Sequence, residues 1–173
     1  MVRPDLSEIP QAALPDGYRI RMYEPGDEDE WIRIEVAAEP SFKVVPGMHA
    51  QQFCEDVAIL SQRQLFLVAP SGEAIGTTTA WFNEDRYARL YGQIHWVAVI
   101  AEFQGKGLSK ALMTQACNLL ATLGHENAFL ITSTSRIPAV RLYLQYGFAP
   151  EIRDPEDEEK WSDVMSYIEE LYP

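Results

Sequence analysis

Residues 95–113, from His95 to Met113, read HWVAVIAEFQGKGLSKALM. The first part, with Ile94, is an apolar, β-branched run that predicts a buried strand over residues 94–100. Gln104-Gly105-Lys106-Gly107 then turns the chain, and residues 108–123 have the apolar spacing of a helix stopped by Gly124. The first amides of that helix have no intrahelical acceptor, and the helix dipole makes them positive. Glycines let an anion approach such amides closely, so the turn is a candidate pyrophosphate cradle. No G-x-x-x-x-G-K-[ST] is present, and Lys110 stands where a dinucleotide G-x-G-x-x-G needs its third glycine. A glycine turn used only for packing is the plainer alternative.

Upstream of this stretch, residues 18–22 (YRIRM) alternate as a strand. Pro25-Gly26-Asp27 opens a helix carrying Trp31, Ile34, Glu35 and Ala38 at helical spacing, and one further helix is expected over residues 48–60. Residues 65–69 and 74–82 form a hairpin about Pro70-Ser71-Gly72. Downstream, residues 129–132 read as a strand. Pro138 suits the first turn of a helix running to Tyr146, and Gly147 is its left-handed cap. Residues 1–17, with Pro4, Pro10 and Pro15, read as an extended arm. The acidic tail, residues 151–173, has helical spacing at Trp161, Val164, Met165, Ile168 and Leu171. The order, a meander followed by βα units, predicts an α/β fold with a mixed sheet in one domain spanning residues 1–173.

The composition excludes several partners. The 173 residues carry 26 acidic and 14 basic side chains, a net charge of -12. Nine acids and two bases fall in residues 151–173. Nucleic acid and anionic membranes both demand a basic face, so neither is expected. Cys54 and Cys117 form no C-x-x-C pair, and the three histidines make no H-E-x-x-H, so no metal site is expected. With no apolar signal core at the start and no run long enough to span a bilayer, the expected setting is a reducing cytoplasm.

Two segments together are specific. Gln104-x-x-Gly107-x-Ser109 resembles the Q/R-x-x-G-x-G/A signature of the GNAT superfamily of acyl-CoA N-acyltransferases. Ala139, Leu142, Tyr143, Gly147 and Phe148 resemble that family's A-x-x-L-Y-x-x-x-G-F segment, in family order. Ser109 replaces the usual last Gly or Ala, and Arg136 stands where many members have Asn. The resemblance implies a twisted mixed sheet splayed between its fourth and fifth strands, with helices on both faces. It implies acetyl-CoA as acyl donor, with its pantetheine arm along Val97, Ala98 and Val99. Its pyrophosphate would rest on the amides of Gly105, Lys106, Gly107, Leu108, Ser109 and Lys110, with Gln104, Arg136 and Tyr143 also at the coenzyme A site. It further implies Val97 N–H as oxyanion donor and Tyr143 as the acid that protonates the leaving thiolate.

The implied reaction is direct acetyl transfer to a small-molecule or protein amine in a ternary complex. A free alkylamine is neutral in roughly one molecule in 2,500 at pH 7, so a base is needed. His95 resembles a strand histidine that serves arylalkylamine N-acetyltransferases, with an unperturbed pKa suited to the task. An ordered water and a core role for His95 remain open. Gln93, on the same face, cannot act as a base. A non-catalytic acyl-CoA-binding module is the alternative function, and a homodimer through the tail is left open. Among the remaining residues, Trp81 and Phe82 are candidates to line the acceptor cleft, and His49 and His125 read as surface or cap residues. Glu24, Glu28, Glu30, Glu35 and Glu39 crowd the first helix, where acid would attract a cationic amine; a solvated face is the plainer reading.

Overall fold

The computed structural model describes residues 1–39, 43, 45, 47–83 and 91–172. Six strands form one sheet: β1 Val2–Arg3, β2 Arg19–Met22, β3 Gln64–Val68, β4 Ala74–Asn83, β5 Tyr91–Val99 and β6 Ala128–Phe129. Their spatial order is β1-β6-β5-β4-β3-β2. Only β5 and β6 run parallel; the other neighbours are antiparallel. The helices are α1 Asp27–Ala38, α2 Met48–Gln52, α3 Val57–Arg63, α4 Leu108–Thr122, α5 Ile137–Gln145 and α6 Pro155–Leu171.

Two apolar cores flank the sheet. One gathers Trp31 and Ile34 of α1 with Phe53, Phe66 and Ile75. The other gathers Met113, Cys117 and Leu120 of α4 with Val140, Tyr143 and Tyr146, and Ile168 of α6 closes it. The mixed α/β sheet with helices on both faces is as the sequence implies. The acidic tail is helical: Asp154 caps α6 by accepting from the Asp157 amide, and Glu156, Asp157 and Glu158 sit in its first turn, where the dipole favours negative charge.

Three expectations are corrected. Residues 1–17 do not all form an arm, because Val2–Arg3 pairs with Phe129 and Ala128 and becomes the edge strand. This extra strand changes only the numbering of the expected gap, which lies between the same two strands, now β5 and β6. The helix expected over residues 48–60 is two helices; Phe53 is extended, and Asp56 starts α3 by accepting from the Ala58 amide. The strand expected over residues 129–132 ends at Phe129, since β6 meets β5 only at Gly92↔Ala128 and Gln93↔Phe129. No helix among the described residues is long and apolar enough to cross a membrane.

Candidate active site

The end of β6 opens the sheet. Beyond Gln93 the β6-facing edge of β5 has no strand beside it among the described residues, and a cleft of about 550 Å³ lies there. Residues 94–99 form one wall, and Leu130, Ile131, Arg136, Pro138, Ala139 and Tyr143 form the other. A second cavity of about 290 Å³ continues it toward Phe103, Gly105, Leu108 and Ser109. Val97, Val99, Gln104 and Tyr143 line both. The two therefore make one channel, running from the glycine turn to an end bounded by Glu35, Glu39, Gln52 and His95.

A β-bulge shapes the middle of this channel. Thr79 opposes His95 and Thr77 opposes Ala98, so Trp96 and Val97 together face one residue of β4. Trp96 takes the strain, with φ at 54°. Its ring is held edge-on to Trp31 at 5.2 Å, and its Nε1 donates to Gln52 Oε1 at 3.3 Å. Below the bulge, Ile100 N–H donates to Ile75 O on β4. Strand alternation then turns the N–H and C=O of Val99 and Val97 the other way, into the gap. Val99 O already accepts from Gln104 Nε2 at 2.8 Å, which ties the signature glutamine to the strand it follows.

The glycine turn has the conformation its residues allow. Gly105 and Gly107 have φ of 76° and 77°, and a Cβ on either would meet nothing within 4 Å among the described residues. Gly107 caps α4 without a side-chain acceptor, leaving open space above amides that need a partner. Lys110 differs from expectation: its amide donates to Gly107 O at 3.0 Å, so the free end of the helix is carried by earlier amides. Lys106 Nζ lies 4.5 Å from the Phe103 ring centre. Tyr146 fixes α4 against α5, its hydroxyl donating to Lys110 O at 2.6 Å beside Thr114 Oγ1 at 2.8 Å.

The titratable groups divide by position. Tyr143 is buried where the cavities join, and burial pushes its phenol up to about 12, so it keeps its proton at neutral pH. Arg136 reaches across the cleft mouth to Glu39, Nη2 to Oε2 at 2.5 Å, joining the start of α5 to the end of α1. His95 lines the cleft beside Phe53, and its Nδ1 lies 3.1 Å from Gln93 Nε2. Burial lowers its pKa to about 4, well below the range on which its choice as base rests.

Sequence reasoning misplaced several side chains. Glu35 is not on a solvated face: it is 7% exposed, lines the cleft, and its Oε1 has no hydrogen-bond partner among the described residues. Burial pushes its carboxyl up to about 8; Arg136 opposes that shift and Glu39 adds to it. Trp81 and Phe82 stack on each other at 5.0 Å outside the cleft lining, which takes Gln52 and Trp96 instead. His49 and His125 are both buried, with His49 Nε2 3.1 Å from Gln64 Oε1. The helical spacing of Glu35 with Trp31 and Ile34 was the signal for its burial.

The GNAT acetyltransferase family model matches residues 21–148, from β2 through the end of the α5 segment. The chain belongs to this family. Acetyl transfer from acetyl-CoA to an amine is GNAT chemistry. Among curated relatives, a mycothiol acetyltransferase of Pseudarthrobacter chlorophenolicus is 30% identical over 82% of the chain and 46% of its own length. One from an Arthrobacter species is 31% identical over 82% of the chain and 46% of its own. The chain thus spans about half the length of the curated relatives it matches. A GCN5-related N-acetyltransferase from Sphaerobacter thermophilus superposes with a TM-score of 0.61 at 25% identity, over 84% of this chain and 46% of that one.

Proposed function

We propose that this GNAT domain is an acetyl-CoA-dependent N-acetyltransferase working by direct transfer in a ternary complex. The observation that carries the reading is the continuous channel with Val97 and Tyr143 at its midpoint. The open space over Gly105 and Gly107 fits a pyrophosphate. The gap-facing N–H and C=O groups of Val97 and Val99, with Ala98 between them in the same wall, suit a pantetheine arm, whose amides need strand-like partners. Gln104, Lys106, Leu108, Ser109 and Arg136 complete the donor side as the resemblance has it, without the Lys110 amide, which is bonded to Gly107 O. Acetyl-CoA supplies an acyl thioester; this chain supplies positioning and proton traffic. Val97 N–H donates to the oxygen on which negative charge develops. Tyr143 holds a proton for the departing sulfur. An acceptor amine enters from the end bounded by Glu35 and His95.

The relatives' name makes a small-molecule amine the first acceptor class to test, with a protein amine as the other. Free Cys54 and Cys117 suit a reducing cytoplasm. The test is calorimetry with coenzyme A on wild type and Gly107→Glu, followed by thiol release from acetyl-CoA with an amine library. Gly107→Glu puts a side chain and a negative charge over the turn, so affinity should fall at least a hundredfold while circular dichroism is unchanged. Equal affinity in both would refute the donor site. Tight binding without turnover on any amine would identify a sensing module instead.

A further inference from the structure

Resting on the acetyltransferase reading, we propose that Glu35 is the general base, receiving a primary ammonium group at the acceptor end of the channel and taking its proton. The carboxyl projects from the last turn of α1, is buried, and lines the cleft on the side away from the glycine turn. Its Oε1 has no partner among the described residues. A buried polar oxygen left unmatched is costly unless something else occupies its lone pairs. An ammonium N–H is the donor type that matches a carboxylate best, by charge and by hydrogen bond.

The groups around it leave this role to Glu35. Arg136 and Tyr143 face it from α5, Glu39 from its own helix, and His95 lines the same cleft from β5. Arg136 is already paired with Glu39 across the mouth and acts on Glu35 through its charge, opposing the rise that burial causes. His95 turns Nδ1 to Gln93. Proton affinities decide between the two bases. An alkylammonium of pKa about 10.4 passes its proton to a group near 8 at a cost of roughly two to three powers of ten. Transfer to an imidazole near 4 costs about six. An ordinary exposed glutamate would be almost as poor as His95. The dry position of Glu35 makes it the better acceptor.

The step balances without another reactant. The ammonium gives one proton to the Glu35 carboxylate and becomes a neutral amine. Its lone pair forms the new C–N bond as the C–S bond breaks. The sulfur takes the Tyr143 proton, the phenolate recovers one from the nitrogen, and Glu35 releases its own to solvent.

The test uses the full chain labelled with ¹³C at glutamate side-chain carboxyls, with Glu35→Gln to assign the resonance. Glu35 should titrate near 8, and n-butylamine at saturating concentration should move that midpoint down by one unit or more. Isosteric n-butanol should leave it in place. A Glu35 carboxyl that titrates near 4.5, or is insensitive to n-butylamine, overturns the proposal whatever the turnover. In turnover with an amine of low pKa, Glu35→Gln should lose at least a hundredfold in kcat/KM at pH 7 and lose the ascending limb near pH 8. Acetyl-CoA affinity should stay within twofold. A limb near pH 4 in wild type would return the base to His95. Absent acetyl-CoA binding with an amine-sensitive Glu35 would instead refute the acetyltransferase reading and leave an amine site.

Discussion

Tyr143 and Glu35 show how one physical cause, burial beside a cleft, gives two carriers of opposite use. Desolvation raises both pKa values. For the phenol this locks the proton on, which suits a donor. For the carboxyl it brings the pKa toward that of an amine, which suits an acceptor. Pairs of titratable groups divided in this way mark an acid and a base. Tyr143→Phe keeps the ring against Phe148, whose centre is 6.4 Å away, and removes only the hydroxyl. Its kcat should fall on the order of 10²–10⁴-fold while acetyl-CoA affinity barely moves, because the proton is needed only as sulfur leaves. A kcat within about twofold of wild type, measured by thiol release, would take Tyr143 out of the mechanism.

At the scale of elements, local sequence carried what local conformation decides. Gly105 and Gly107 announce a turn that needs positive φ, and Pro138 and Gly147 bracket α5, so the glycine-turn end of the channel was legible. The end bounded by Glu35 and His95 depends on distant contacts. Nothing in the run FCED at residues 53–56 has the strength of Gly or Pro to announce the break between α2 and α3. No residue type announces the bulge at Trp96, whose strain is held by Trp31 and Gln52 from elsewhere in the chain. The β1 strand was hidden by the prolines that follow it, and what secures it is a side chain. Arg3 is 5% exposed, and its guanidinium donates to Asp5 O at 2.6 Å, Glu8 O at 2.7 Å and Tyr146 O. Arg3→Ala leaves those carbonyls without their donor, beside the strand that borders the gap. It should cost about 3 kcal/mol in urea unfolding, and Arg3→Lys should recover little, since an ammonium cannot reproduce the planar fork. A loss below about 1 kcal/mol would show that the arm is held by its backbone pairing alone.

For the whole molecule, Glu35 and His95, both lining the cleft, should write a signature into stability against pH. Glu35 has a folded pKa of about 8 against an ordinary value of 4.5. The folded chain holds that proton more tightly, so the contribution is full below 4.5 and is lost as pH rises to 8. His95 has a folded pKa of about 4 against 6.5. The folded chain binds that proton less tightly, so its contribution is full above 6.5 and is lost as pH falls toward 4. Between pH 4.5 and 6.5 the two slopes oppose each other. Above 6.5 only Glu35 still changes, and the remaining interval to pH 8 corresponds to about 2 kcal/mol. Self-repulsion from a net charge of -12 forms a background, nearly the same in a chain carrying Glu35→Gln. Urea unfolding at pH 6.5 and 8.0 should therefore show wild type losing about 2 kcal/mol more than Glu35→Gln over that interval. The variant should also be the more stable of the two at pH 8, because its amide needs no ionisation in a dry site. Equal losses in the two chains would mean that Glu35 ionises below 6.5 in the folded state. The carboxyl would then be too weak a base to take a proton from an amine, and the acid–base pair inferred for the channel would fail with it.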